Sequence, residues 1–227
     1  MDIKILHFYP DLMSLYGSYA NVSVLKRALE AMGNTVTIET VAPGQEADVA
    51  GADVLFMGAG TERAQKAALK DFARFGEAVK AAAESGAAML FCGTAMELLG
   101  KTITDAEGNT YDGIALAGFT ATQGKKRLVE DVYGHTTLYA EPVVGFMNKC
   151  SVLSGVETPL LTDLELGYGN DGEKTAGVRP RIFVPKVGRG ACFLRLGVLY
   201  CTKAVLATFR YLPRWHGGGI LQKRSAL

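Results

Sequence analysis

Apolar residues recur in two rhythms over the first hundred positions. Ile3 to Phe8 is short, apolar and rich in β-formers, and the turn-prone Tyr9-Pro10-Asp11 closes it. From Asn21 to Met32 the period changes, with Val22, Leu25, Leu29 and Met32 at helical spacing and Gly33 as C-cap. Thr35 to Val41 reads as a second strand and Asp53 to Met57 as a third, ending in the glycine turn Gly58-Ala59-Gly60. Leu69, Phe72, Phe75 and Val79 then lie three or four apart, which predicts one long helix between Thr61 and Glu84, stopped by Gly86. Ala87 to Phe91 is a further short apolar run, and Thr94 to Leu99 returns to helical patterning. Strands alternating with helices in this way predict an α/β fold with a parallel sheet covered by helices.

Beyond Gly100 the segments become shorter and richer in turns. Asp105-Ala106-Glu107-Gly108-Asn109, between Lys101-Thr102-Ile103-Thr104 and Thr110-Tyr111, predicts a hairpin, and β-prone stretches continue to Gly172. No internal repeat and no low-complexity segment interrupts the pattern.

Composition narrows the class. Of 227 residues, 48% are apolar and 21% charged, enough to bury a core and too few charges for a disordered polymer. Asp2 stands where a signal peptide needs basic residues, and no window has the roughly 18 uninterrupted apolar residues of a membrane span, so the expectation is a soluble, unexported, cytoplasmic protein. Cys92, Cys150, Cys192 and Cys201 are widely spaced with no C-x-x-C pair, which argues against a disulfide framework, a zinc ribbon and a metal site of that kind.

A net charge of +1 conceals an asymmetry. Residues 1 to 173 hold 13 Lys/Arg and all 23 Asp/Glu, a net −10, whereas residues 174 to 227 hold 11 Lys/Arg and no acid, a net +11. Aromatic residues interleave with these cations, yet no amphipathic period organises them, so a nucleic-acid or lipid-binding arm is not expected.

The strongest chemical signal is the run Ala88-Met89-Leu90-Phe91-Cys92-Gly93-Thr94-Ala95-Met96-Glu97-Leu98-Leu99-Gly100. It places Cys92 between a buried strand and a helix N-terminus, at the carboxyl edge of the sheet where open α/β folds hold ligands. Helix N–H groups there are expected to lower the thiol pKa, and Gly93 permits the tight turn of a nucleophile elbow. The competing interpretation is a small apolar residue that ends a core strand.

This stretch resembles the class I glutamine amidotransferases, whose nucleophile lies in a C-G-x-x-x-L-L-G-like elbow. Further motifs occur in order. Tyr9-Pro10-Asp11-Leu12-Met13-Ser14-Leu15-Tyr16-Gly17 is similar to the opening of cobyric-acid-synthase-like amidotransferases of the lipid II isoglutaminyl synthase type. Phe56 to Gln65 is similar to F-x-G-G-G-x-D-R-E-Q, Val144-Gly145-Phe146-Met147-Asn148 to V-G-F-E-N-H, and Gly167-Tyr168-Gly169-Asn170-Asp171 to G-x-G-N-N. The resemblance implies a three-layer, flavodoxin-like α/β domain over residues 1–179, followed by an atypical basic tail, 180–227.

By that resemblance Cys92 is the nucleophile, backbone N–H groups of Gly58, Ala59 and Gly93 hold the oxyanion, and Arg127 binds the α-carboxylate of L-glutamine. It also implies a Mur-ligase-like ATP-dependent partner that amidates D-glutamate in lipid II, with ATP and any metal on that partner and no cofactor in this chain. Departures are Thr94, Ala59, Met147 and Lys149 at positions where the family has Gly, Gly, Glu and His. The family's base histidine, in a T-Y-x-H-G motif, falls on Arg189, while His7, His135 and His216 lie elsewhere; His216 has the H-G dyad at an offset wrong by more than twenty residues. The resemblance and the charge balance both break near residue 180, which suggests a frameshift there. Three functions remain open: a glutaminase subunit, an amidotransferase-fold scaffold without turnover, and a cobyrinic-acid-type amidotransferase.

Overall fold

A computed structural model describes residues 1–178, Leu138 and Glu173 excepted. Arg189, His216, Cys192, Cys201 and the tail 180–227 lie outside the described residues.

The chain builds an α/β fold around a parallel sheet, as the alternating rhythm predicts. Strands β1 (Asp2–Phe8), β2 (Thr35–Val41), β3 (Val54–Met57) and β4 (Ala88–Phe91) are ordered β2-β1-β3-β4, all parallel. Helices α1 (Ala20–Ala31), α2 (Glu62–Phe72), α3 (Gly76–Ser85) and the short α4 (Thr94–Glu97) supply the connections. β3 and β4 are buried at every position, and alternate residues feed two apolar clusters on opposite faces. Met89 and Phe91 enter one with Phe8, Phe72 and Phe75; Ala88 and Leu90 enter the other with Val22, Leu25 and Phe56.

A second sheet covers the elbow region. Strands β5 (Thr102–Thr104), β6 (Thr110–Asp112), β7 (Thr120–Thr136) and β8 (Tyr139–Ser154) run in the order β6-β5-β7-β8, and β9 (Asp163–Leu166) pairs with β7. β5 and β6 form the expected hairpin. Its turn is held by Asp105, which accepts from the N–H groups of Glu107 and Asn109 at 3.1 and 2.8 Å and from Lys66 Nζ at 2.6 Å.

Two expected helices are shorter than their patterns. The single helix over Thr61 to Glu84 is instead α2, a 3₁₀ turn Ala73–Phe75, and α3. Residues three apart eclipse in a 3₁₀ turn, so Phe72 and Phe75 both reach Phe8, with ring centroids 5.3 and 5.4 Å away. After Glu97 the chain tightens in the same way, with the N–H groups of Leu98, Leu99 and Gly100 donating to the carbonyls three residues earlier at 3.1–3.2 Å.

Candidate active site

Three loops meet at the carboxyl edge of the parallel sheet. The loop after β1 crosses the turn after β3, with Leu15 N–H donating to Ala59 O at 2.8 Å and Ala59 N–H donating to Ser18 Oγ at 3.1 Å. This crossing explains Gly58: a Cβ there would stand 2.2 Å from Met13 O and 2.3 Å from Ser18 Oγ. The turn also grips the start of α4. Gly60 N–H donates to Thr94 Oγ1 at 3.0 Å, and Thr94 Oγ1 donates back to Gly60 O at 2.8 Å. Among the N–H groups expected to hold an oxyanion, that of Ala59 is therefore already engaged.

Cys92 continues β4 by one residue. Its N–H donates to Met57 O at 3.0 Å, and its side chain follows Ala88 and Leu90 into the cluster containing Val22, Phe56 and Ala59. The residue is 1% exposed, and Asn21 Nδ2, at 4.0 Å, is the polar group that reaches its sulfur among the described residues. Burial pushes the thiol up to about 12. The expectation of a thiolate-favouring environment is corrected here. α4 has four residues, too few aligned peptide dipoles to offset desolvation by the apolar cluster.

The chain turns at the next residue. Gly93 has φ +54° and ψ −124°, a positive-φ conformation that residues with a Cβ rarely adopt, and the carbonyls of Cys92 and Gly93 accept the first bonds of α4, from Ala95 and Met96 at 3.0 and 3.2 Å.

Arg127 reaches the rim by a bulge. Between the pairs Gln123↔Ser151 and Leu128↔Lys149, β7 carries four residues where β8 carries one, and the extra length aims Arg127 at the start of α2. Its guanidinium pairs with Glu62 Oε1 at 2.5 Å and donates to Asn148 Oδ1 at 3.0 Å, while Asn148 Nδ2 donates to Tyr16 Oη at 2.7 Å. Cys150 Sγ donates to the same Glu62 oxygen at 3.1 Å. Burial and then that bond push the Cys150 thiol up to about 11. For Glu62, burial works upward, but the bonds from Cys150 and its own backbone, together with Arg127, bring it below the ordinary carboxylate value. A ligand carboxylate at Arg127 would share the guanidinium with Glu62.

Sequence reasoning missed a buried polar clasp beneath this rim. Gln65 Nε2 donates to Thr94 O and to Glu97 Oε2, both at 2.8 Å; Gln123 Nε2 donates to Gln65 Oε1 at 2.7 Å; Ser151 Oγ bonds Glu97 Oε1. Gln65 is fully buried and Glu97 is 1% exposed. The signal available in sequence was polar residues at core-facing positions of two helical segments. The departure at Lys149 has a structural role as well, since its ammonium bonds Gly169 O and ties β8 to the Gly167–Asp171 loop.

Neither described histidine joins the elbow. His7 meets Phe56 edge to face, centroids 4.8 Å apart, in a row that runs His7, Phe56, Leu90 across three strands. Strand spacing and rise put its Cα about 12 Å from that of Cys92. Burial lowers His7 to about 4 and keeps the ring neutral. His135 pairs with Glu165 at 3.0 Å on the exposed β7–β9 side.

A parallel sheet in the order 2-1-3-4, with a strand–turn–helix elbow beside a glycine turn at its carboxyl edge, defines an α/β domain of amidotransferase type. The profile of the CobB/CobQ-like glutamine amidotransferase domain matches residues 4–182, and the chain belongs to that family. It is similar to the GatD subunit of the glutamine-hydrolyzing lipid II isoglutaminyl synthase of Streptococcus pneumoniae, 29% identical over 177 residues, which cover 76% of this chain and 67% of the relative. It is similar also to the subunit of the same name in Staphylococcus aureus, 25% identical over 179 residues, covering 78% of this chain and 72% of the relative. No helix among the described residues is long and apolar enough to cross a membrane.

Proposed function

We propose that this chain is the amidotransferase subunit of a ligase of the lipid II isoglutaminyl synthase type. The observation that carries the reading is the convergence of the β1, β3 and β4 loops at one sheet edge, with Arg127 brought to its rim. The ligand is L-glutamine, its α-carboxylate directed to Arg127. The partner is a Mur-ligase-like subunit that binds ATP and any metal and amidates the D-glutamate of lipid II.

Two versions of that role differ at Cys92. In the first, the Cys92 sulfur attacks the side-chain carboxamide carbon of glutamine as the thiol gives up its proton, that proton leaves on the amide nitrogen as ammonia, and water hydrolyses the thioester to glutamate and free thiol. In the second, the domain keeps its fold and its docking role without that turnover. A thiol 1% exposed and pushed up to about 12, reached by Asn21 and by no imidazole among the described residues, favours the second. A cobyrinic-acid-type role is separated from both by which ligase subunit copurifies.

The test is reconstitution of the full chain with the ATP-dependent subunit and lipid II. Stable association and amidated product from ammonium chloride, above that of the ligase subunit alone, are expected. A chain that neither associates nor raises product formation is not this subunit.

A further inference from the structure

The elbow has its vertex at residue 93. Cys92 still obeys the strand: its N–H extends the β3–β4 ladder to Met57 O, and its side chain takes the next place after Ala88 and Leu90 on the face beneath α1. Gly93 obeys neither element. Its φ of +54° and ψ of −124° lie between the extended strand and the helical turn that starts at Thr94. In a strand–turn–helix elbow, the residue at the strained turn is the one whose side chain leaves both elements and faces the ligand. Here that residue has no side chain.

What occupies the space is also visible. A Cβ built on Gly93 would stand 3.0 Å from Ala59 Cβ, closer than ordinary van der Waals contact. Ala59 is the middle residue of the Gly58-Ala59-Gly60 turn, and it is buried, 5% exposed, in the cluster that also holds Cys92. The two residues are complementary: the methyl fits because residue 93 is glycine, and a side chain at 93 fits only if residue 59 gives way.

We propose that residue 93 is the presentation point of this amidotransferase elbow, vacated by Gly93 and filled from the side by Ala59, and that Cys92 is core packing rather than a nucleophile. This rests on the amidotransferase reading of the domain. It assigns the chain a glutamine-site architecture without the group that would form a thioester.

The test uses the full chain bound to its ATP-dependent subunit, with iodoacetamide as probe and peptide mapping as readout. The thiolate sulfur displaces iodide from the probe carbon, and the thiol proton goes to solvent. In the native wild type, Cys92 labelling at least about 100-fold slower than in urea is expected, from the protection of a buried, protonated thiol. In Ala59→Gly/Gly93→Cys, the residue-93 thiol is expected to label at least ten-fold faster than Cys92 of the same molecules. Cys92 labelling in the native wild type near its rate in urea overturns the proposal, as does a residue-93 thiol protected as well as Cys92 in a folded double variant. If the double variant fails to fold, as judged by circular dichroism, the wild-type Cys92 rate decides alone. Loss of association with the ligase subunit in the wild type points instead to failure of the underlying assignment.

Discussion

Ala59 and Gly93 share one methyl-sized space: the Ala59 Cβ lies 3.0 Å from where a Cβ on Gly93 would be. Each residue is therefore conditional on the other. Gly93→Ala should cost about 1–3 kcal/mol from the positive φ and the close contact, and Ala59→Gly about 1 kcal/mol from the lost methyl and added chain freedom. The double variant should be more stable than the sum of the two, by roughly 0.5 kcal/mol or more, because the contact no longer exists. Urea denaturation of the four proteins measures this coupling, and strict additivity would show that the residues do not meet.

Cys92 behaves in this structure as a small apolar side chain. Cys92→Ala should cost under about 2 kcal/mol, since the cavity it leaves is small. Cys92→Ser, nearly the same shape, should be the more damaging change by about 1 kcal/mol, because it buries a hydroxyl where Asn21 Nδ2, at 4.0 Å from the sulfur, is too far for a good hydrogen bond to oxygen. Thermal melts of the two variants decide the order. A Ser variant as stable as the Ala variant would mean the site is wetter than the structure places it.

The Gln65–Glu97 clasp holds α4 against α2 below the rim, through a 2.8 Å bond between buried side chains that lies beside the bond from Gln65 Nε2 to Thr94 O. Gln65→Ala strips one partner from Glu97 and from Gln123 and should destabilise by about 2–4 kcal/mol, as expected when buried polar groups lose their bonds. Hydrogen exchange should then rise first at Thr94 to Gly100. Unchanged protection there would place the clasp's effect elsewhere.

His7 gives the fold an acid sensitivity. The folded ring titrates near 4, because burial disfavours its charged form, whereas an unfolded imidazole titrates near ~6.5. Above that value both states are neutral and His7 contributes no pH dependence. As pH falls from about 6.5 toward 4 the unfolded chain binds a proton that the folded chain refuses, so stability drops, by at most about 3 kcal/mol. His7→Leu should flatten this part of the pH–stability curve. It should also cost little at pH 7, since His7 Nε2 is buried without a partner among the described residues. A curve unchanged by the substitution would contradict the assignment.

The elements of the first hundred residues were legible because hydrophobic period reports burial: β1 to β4 and α1 fall within a residue or two of their patterns. The break at Ala73–Phe75 was not, since Phe72 and Phe75, three apart, satisfy an α-helix and a 3₁₀ turn equally. The position of the elbow was legible. The run from Phe91 to Thr94 announces a strand–helix junction, but which of two neighbours turns the corner depends on a backbone dihedral that residue types do not fix, and alternation carries Cys92 into the core. Contacts such as Ala59–Gly93 and Gln65–Glu97 join positions more than thirty apart and belong to the tertiary fold. Arg127 was singled out by the family resemblance, whereas its engagement with Glu62 came from a bulge that no spacing announces.

The most direct measurement is glutamate release from L-glutamine by the full chain in complex with its ATP-dependent ligase subunit, wild type against Cys92→Ala. The account predicts equal, background rates for the two complexes, alongside product formation when ammonium is supplied. Glutamate release by the wild type well above background and abolished by Cys92→Ala would contradict it, and would show that the buried sulfur is brought to the turn in the working complex.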